Sequence, residues 1–335
     1  MTYYFPLLRL PWLAFDEILK TMDPIQILNM CQVSKKCKFI TQRSIKTGRY
    51  HMTIVSHRDS NYIKFGFPDS HQSKFGINFG VAQSSSVLRF SDGTDYPVNL
   101  VYHEDFAIST WIIPEQGFMI VMSFLADVLN IRQVEFDKEE HSENKFPFLR
   151  IMEHAALCKL HFIKLRLFGN FHRSIRIYNT IINVFMNNAT EESELYLESY
   201  VTDCYKFTKC DRLKFLRIDK TVNFSMEMLL SLTYVCSSVE LGQIALSTEI
   251  LKEFLTAWEK YPDSRLKRLQ LNREAIAERL NLVEVLETFD PQIIGEDMRS
   301  QQDIRENQMY TIKWNGDLRA TVIYVGDQFV MEIES

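Results

Sequence analysis

The sequence predicts a fold of the α+β / α/β class with three parts: a small N-terminal unit of three helices, a strand-helix domain and a C-terminal β-meander. Three observations lead to this prediction. The first fifty residues show short helical periodicities separated by capping residues, and residues 50–114 alternate in the manner of strands. Beyond them, short apolar pairs recur with helical stretches between them. A composition of 46% hydrophobic and 24% charged residues excludes a disordered or collagen-like chain.

The three N-terminal helices follow from apolar spacing and caps. The first runs from about Pro11 to Met22 and has its apolar face at Phe15, Ile18, Leu19 and Met22. Asp23-Pro24 opens the second helix, because aspartate caps free N–H groups and proline fits the first helical position. Ser34 caps the third helix, in which Cys37, Ile40 and Thr41 are predicted to lie opposite the lysines. A unit of about forty residues needs outside support to stay folded.

The same segment carries a composite pattern between residues 5 and 45. Its parts are Leu10-Pro11, Asp16-Glu17, Ile18, Asp23-Pro24, Leu28 and Val33-Ser34-Lys35. This order and spacing resemble the F-box. The preceding Phe5-Pro6-Leu7-Leu8-Arg9 resembles the lead-in of the large F-box family expanded in nematodes, although Cys37 stands where that family usually has an aromatic residue.

The resemblance implies a substrate-recognition subunit of an SCF-type cullin-RING ubiquitin ligase, which is not itself an enzyme. Its partners would be a Skp-type adaptor, a cullin reached through that adaptor, and a protein substrate. The adaptor-binding residues that it implies are Leu10, Pro11, Ile18, Pro24, Ile27, Leu28 and Val33. Apolar residues left over on a small helical bundle favour binding to another protein's helices. The alternative is a helical cap on the following domain.

Charge separates the N-terminal segment from the remainder. Residues 1–50 hold eight basic and three acidic residues, a net charge of +5, whereas residues 51–335 have a net charge of −10. Lys35, Lys36, Lys38 and Arg43 match a nucleic-acid patch in composition, but four charges on a short helix are more typical of a solvated face or a contact with an acidic protein. We therefore expect no nucleic-acid partner.

Residues 46–116 are predicted to form a β-rich connecting region. Its candidate strands are Met52–Val55, Tyr62–Phe65, Gly76–Phe79 and Val98–Val101. Gly66, Gly76 and Gly80 lack the G-x-G-x-x-G spacing of a dinucleotide site.

Residues 117–335 show a repeating strand-helix rhythm. Apolar pairs recur at Val134/Phe136, Leu165/Leu167, Leu195/Leu197, Leu216/Ile218, Val239/Leu241 and Leu269/Leu271. Helical faces are predicted at Phe118–Leu129, Ile175–Asn187, Met226–Tyr234 and Thr248–Tyr261. A strand that recurs after each helix runs parallel to its predecessor, which favours a leucine-rich-repeat-like solenoid. A mixed sheet with packed helices is the alternative.

The C-terminal part predicts a capping β-meander after a loop over Asp290–Asn307. Its strands are Tyr310–Trp314, Leu318–Val325 and Phe329–Ile333. Leu246–Trp258, Arg265–Leu271, Asp303–Arg305, Arg319–Val322 and Phe329–Met331 are similar to the F-box-associated type 2 domain. That resemblance implies that residues 117–335 capture the protein substrate, whose identity it does not give.

Catalytic motifs are missing from the sequence: it has no P-loop, G-x-S-x-G, H-E-x-x-H or C-x-x-C. His154, Cys158 and His161 lack an evident fourth metal ligand, so we expect no metal and no cofactor. Cys204 and Cys210 lie near Lys206 and Lys209, which leaves a cysteine hydrolase as a weaker hypothesis. A protein-interaction scaffold outside any ligase is another. For Trp111, Trp258 and Trp314, core packing is favoured over interface anchoring.

Apolar length bears on the predicted location. The longest apolar run, Gly117–Ala126, is too short to span a bilayer, and the first residues lack a secretory signal. We expect free thiols, no membrane partner and a location in the cytoplasm, the nucleus or both.

Overall fold

Two compact units, Met1–Phe162 and Ile163–Ser335, make up the fold. The computed structural model describes residues 9–57, 61–66, 72–79, 87–89, 95–97, 99–102, 106–111, 113–140, 147–169, 175–201, 207, 212–221, 225–243, 247–261, 264–272, 282–289, 292–293, 308–314, 318–325 and 328–334. Within those residues no helix is long and apolar enough to span a membrane.

Unit 1 begins with the three predicted helices, α1 (Trp12–Thr21), α2 (Pro24–Val33) and α3 (Lys35–Ser44). The predicted caps are confirmed. The Asp23 carboxylate accepts a bond from the Gln26 backbone N–H at 2.7 Å, and the Gln26 side chain accepts one from the Asp23 N–H at 3.1 Å. Ser34 caps α3 by accepting from the Cys37 N–H at 3.1 Å.

The remainder of unit 1 is a mixed sheet with two helices. The order of its main strands is β8-β1-β2-β3-β7-β6, in which β1/β8 and β3/β7 are parallel and the other pairs are antiparallel; β4 and β5 form a separate pair. Its elements are β1 (His51–Ser56), β2 (Asn61–Gly66), β3 (Gln72–Phe79), β4 (Val87–Arg89), β5 (Asp95–Pro97), β6 (Asn99–Tyr102), β7 (Phe106–Trp111), α4 (Pro114–Val128), β8 (Gln133–Glu140) and α5 (Phe148–Leu157).

Helix α4 is packed closely against β7. Trp111 is buried, and its indole N–H donates to the Ser109 hydroxyl at 2.8 Å. The ring lies against Gly117 of α4, where an added Cβ atom would overlap with Trp111 Cγ. The absence of a side chain at Gly117 therefore lets the tryptophan ring contact the helix backbone.

Unit 2 contains most of the predicted strand-helix rhythm, and the division between the units falls within β9 (His161–Gly169). Its strand order is β9-β10-β11-β12-β13-β17-β16-β15-β14. The other elements are α6 (Ile175–Asn188), β10 (Ala189–Val201), β11 (Leu213–Thr221), α7 (Met226–Val235), β12 (Cys236–Gln243), α8 (Thr248–Glu259), β13 (Arg268–Asn272), α9 (Leu282–Leu286), β14 (Gln292–Ile293), β15 (Gln308–Trp314), β16 (Leu318–Val325) and β17 (Gln328–Ile333).

The apolar pairs occupy one buried face of these strands. Leu195, Leu197, Leu216 and Ile218 are fully buried, and β10 through β13 pair in parallel in chain order. Parallel strands in this region are thus confirmed. The sheet is mixed, because the meander β15-β16-β17 joins it through the antiparallel pair β13/β17. The leucine-rich-repeat-like description stays a prediction.

The predicted domain boundaries, 5–45, 46–116 and 117–335, do not coincide with the compact units. The region 46–116 shares a sheet with β8 through the pair β1/β8, so it belongs to the same folded unit as the N-terminal helices. As functional divisions these boundaries stay predictions. The predicted loop Asp290–Asn307 lies outside the described residues, except for β14, which pairs with β15.

Gly117→Ala is expected to destabilise unit 1 by roughly 1 to 3 kcal/mol, because a methyl group must displace the buried Trp111 ring. The measurement is the free energy of unfolding from urea titration. Gln116→Ala, at an exposed position of the same helix, is the control and is expected to change it little. Equal unfolding free energies for the two variants would contradict the packing argument.

Candidate protein-docking surface

The N-terminal helices leave large apolar side chains in solvent. Leu13 is 78% exposed, Val33 70%, Phe39 55% and Trp12 49%. These four residues, here called the exposed apolar set, lie at the start of α1, at the end of α2 and in the middle of α3. Exposed apolar side chains in such number on a small helical unit are typical of a surface that binds another protein.

The residues predicted to bind an adaptor divide into two groups. Pro11 and Val33 are exposed, and Leu10 and Ile18 are half-buried, so these four are available to a partner. The other three, Pro24, Ile27 and Leu28, are buried. Ile27 and Leu28 are less than 2% exposed, and they hold the helices together from inside. Any contribution of theirs to docking is through the shape of the unit.

Sequence reasoning missed three of the exposed apolar residues, Trp12, Leu13 and Phe39. A signal was present for Leu13 in particular. It lies outside the periodic face formed by Phe15, Ile18 and Leu19, and an apolar residue off the buried face of a helix is a candidate contact residue. The Phe39 ring is partly covered by the Arg43 guanidinium, whose carbon lies 5.2 Å from the ring centroid.

Lys38 corrects the interpretation of the basic residues on α3. Lys35, Lys36 and Arg43 are exposed, but Lys38 is buried and is therefore not part of a solvated or nucleic-acid-binding face. Its ammonium lies 2.5 Å from Asp127 Oδ2 on α4, with 10% of the lysine side chain and 48% of the aspartate side chain exposed. The ammonium also lies 5.5 Å from the centroid of the Phe124 ring.

Further hydrogen bonds join the same two elements. The Gln42 amide donates to the Asp127 carbonyl oxygen at 3.3 Å. The Asn130 amide, just after α4, donates to the Ile45 carbonyl oxygen at 3.3 Å and to the Thr47 hydroxyl at 2.7 Å. We call Lys38, Gln42, Asp127 and Asn130 the α3–α4 junction. Close by, burial raises the pKa of the Cys31 thiol to about 11, which keeps it protonated and unreactive at neutral pH.

His154 of α5 and Cys158, the residue that follows this helix, both contact Ser123 of α4. Ser123 Oγ lies 2.8 Å from His154 Nε2 and 3.5 Å from Cys158 Sγ, and the hydroxyl donates to the Met119 carbonyl oxygen at 2.9 Å. Desolvation lowers the pKa of His154, so the ring is neutral at pH 7. Ser123 and Cys158 also line a cavity of about 250 Å³. These contacts join α4 to α5.

The other candidate residues are one histidine, two cysteines and three tryptophans. His161 is exposed at the start of β9, and no group of three or more His, Cys, Asp or Glu side chains among the described residues is arranged to hold a metal ion. The cysteines at 204 and 210 and the neighbouring lysines lie outside the described residues. Trp111, Trp258 and Trp314 are buried, which confirms core packing; the last two rings meet edge to face at 4.9 Å.

The outward face of the unit 2 sheet carries a network of charged and aromatic side chains. Arg166 forms a two-bond contact with Glu198 at 2.7 and 2.9 Å. Arg217 lies 2.7 Å from Asp219 and 3.4 Å from Glu240. Between these groups, the half-buried Tyr196 ring lies 5.2 Å from Phe215 and 4.8 Å from the Lys164 ammonium. Burial, together with the hydrogen bond that the Tyr196 hydroxyl donates to Glu194, raises the pKa of the phenol.

A small helical unit with exposed apolar residues, joined to a larger α/β chain, has features that are typical of a protein-docking module. Comparison of the sequence with known families identifies it more closely: residues 7–47 match the F-box domain. F-box domains generally serve as substrate adaptors of SCF-type ubiquitin ligases, where they bind Skp-type adaptors and do no catalysis themselves.

The whole chain also resembles a nematode protein. It is 20% identical to the Skn-1 dependent zygotic transcript 15 protein of Caenorhabditis elegans, and the alignment covers 98% of this chain and 96% of that protein. No solved structure matches the chain.

Asp127→Ala is expected to lower the free energy of unfolding by roughly 2 to 3 kcal/mol, since it leaves the buried Lys38 ammonium without its carboxylate; half of Asp127 is exposed, which softens the loss. Urea titration measures the change. Lys20→Ala, which breaks exposed ion pairs with Asp16 and Glu17, is the control and is expected to change the free energy of unfolding little. If the loss of unfolding free energy were no larger than that of the control, the Lys38 ammonium would be stabilised by water or other groups in the absence of Asp127.

His154→Gln is expected to reduce the pH dependence of stability. In the folded chain the pKa of His154 is lowered, whereas an unfolded histidine titrates near about 6.5, so the unfolded state takes up the proton first as pH falls. The stabilisation is complete above that pH and is lost as pH falls toward the folded pKa. Urea midpoints at about pH 7.5 and pH 5.5 measure it. The exposed His161→Gln is the control; an unchanged pH slope in the His154 variant would refute the assignment.

Proposed function

We propose that the chain is a substrate receptor of an SCF-type ubiquitin ligase, which docks on a Skp-type adaptor through its F-box helices. The observation that supports this best is the exposed apolar set on the unit that matches the F-box domain. A monomer gains nothing from leaving Leu13 and Val33 in water, whereas burial of such side chains against a partner stabilises a complex by about 25 cal/mol per Å².

The docking residues in this proposal are those that the chain leaves available. Pro11, Leu13 and Val33 are the primary contacts, and Trp12, Phe39, Leu10 and Ile18 surround them in sequence and on the same helices. Pro24, Ile27 and Leu28 support the surface from within. Lys35, Lys36 and Arg43 add positive charge to this region, which favours an acidic partner over a basic one.

Target capture is assigned to residues 117–335 as an F-box-associated type 2, leucine-rich-repeat-like domain. The supports are the sequence similarity to that domain and the parallel strand order from β10 to β13. The receptor does its work by proximity, because holding a target near a separate enzyme raises its effective concentration without covalent chemistry. We place the chain in the cytoplasm or the nucleus, where such ligases act.

Leu13→Asp combined with Val33→Asp is expected to abolish co-elution with a co-expressed Skp-type adaptor, because both changes put a carboxylate into an apolar interface without touching the core. Size-exclusion chromatography of the co-expressed pair is the measurement. Leu28 is unsuitable for this test, since a carboxylate at so deeply buried a position would unfold the helices.

Leu157→Asp on α5 provides a matched control, because Leu157 is 80% exposed and lies outside the F-box helices. It is expected to keep co-elution. If the wild-type chain is monodisperse and does not bind the adaptor, the proposal is wrong, and a protein-interaction scaffold that acts outside any ligase becomes the better explanation.

A further inference from the structure

The F-box helices are attached to the remainder of unit 1 by the backbone connection and also by side-chain contacts with α4. Between α3 and β1 the backbone passes through residues 45–50, and Gly48 in that segment has a positive φ of 81°. No atoms lie within 4 Å of where a Cβ of Gly48 would be, and residues 46–48 are exposed. The connection therefore does little by itself to keep the helices from pivoting.

The α3–α4 junction opposes such a pivot. Lys38 binds Asp127 from the middle of α3, Gln42 binds the same residue one turn later, and Asn130 reaches Ile45 and Thr47 beyond the helix end. These contacts lie on both sides of the α3 terminus. Since charge-assisted and amide hydrogen bonds are directional, they specify an orientation, which apolar packing alone does less strictly.

Helix α4 in turn is held by the remaining elements of unit 1. Its first turn packs on Trp111 of β7 through Gly117, and Ser123 meets His154 of α5. Glu115 also accepts a bond from Arg150 of α5 at 3.2 Å. Because α4 is fixed to β7 and α5, contacts between α3 and α4 also fix the position of α3.

We propose that the α3–α4 junction is an orientation lock, in which Lys38, Asp127 and Asn130 act as positioning residues that hold the F-box helices at one angle to the rest of unit 1. Only the biological role of this lock rests on the proposed function: it would hold an adaptor that is bound to the exposed apolar set at a fixed angle to unit 1.

The test measures orientation in the free chain, with no adaptor present. Nitroxide labels are attached to ketone-bearing amino acids at two exposed positions, Asn29 on α2 and Glu153 on α5, and double electron–electron resonance gives the distribution of distances between them. The wild type is expected to give one narrow distribution. Lys38→Met with Asp127→Leu replaces the ion pair by apolar contact and is expected to keep the thermal midpoint while broadening the distribution about twofold.

Asn130→Gly is the second variant. Asn130 has a φ of 50°, which glycine adopts without strain, so this change removes the bonds to Ile45 and Thr47 and leaves the backbone intact. It is expected to broaden the distribution as well, and it decides the question if the double variant does not fold. Lys20→Met, which breaks only exposed ion pairs of α1, is the control and is expected to keep the distribution narrow.

A narrow distribution in folded Lys38→Met/Asp127→Leu and in Asn130→Gly would overturn the lock and leave the junction as a source of stability alone. Because the measurement uses the chain by itself, failure to bind a Skp-type adaptor would not affect its result, and failure of the lock would not affect adaptor binding. Adaptor docking and the orientation lock are therefore tested independently.

Discussion

The ion pair between the buried Lys38 and the half-exposed Asp127 joins the F-box helices to the rest of unit 1, and the proposed orientation lock depends on it. A lysine ammonium loses most of its hydration when only a tenth of its side chain remains exposed, and that loss must be offset by a nearby carboxylate. Here the carboxylate comes from α4, 89 positions further along the chain. The charge of the buried Lys38 in the F-box helices is therefore compensated by Asp127, a residue outside the segment that matches the F-box domain. The helices thus depend on the rest of unit 1 for this contact.

The local features of the fold could be predicted from the sequence. Asp23 and Ser34 are caps and Pro24 occupies the first position of α2, and because this chemistry acts over three or four residues, these positions define the starts of α2 and α3 without knowledge of the fold. Apolar pairs such as Leu269/Leu271 alternate with polar neighbours, which is enough to assign them to the buried side of a strand. Periodicity in the sequence indicates on which face of its own helix or strand a residue lies.

Relations between distant elements could not be predicted in the same way. The residues next to Lys38 in the sequence are those expected around an exposed lysine. The ammonium is buried in the structure because the Asp127 carboxylate, which is distant in sequence, compensates its loss of hydration. Ile27 and Leu13 are both apolar helix residues, yet one is fully buried and the other is exposed, because the face of each helix that packs inward is set by its neighbours. The pairs β1/β8 and β13/β17 are likewise non-local, so the extent of unit 1 and the antiparallel pairing of the meander with β13 follow only from the structure.

The antiparallel pair between β13 and β17 has a consequence for synthesis of the chain. Asn272 pairs with Gln328, so the partner of β13 leaves the ribosome long after β13 itself. If β10 through β13 pair before β17 has been synthesised, β13 presents unpaired backbone N–H and C=O groups, the kind of edge that recruits strands from other molecules. Synthesis from the N-terminus would then create a transient aggregation hazard at this edge, and premature termination before β17 would make that hazard permanent.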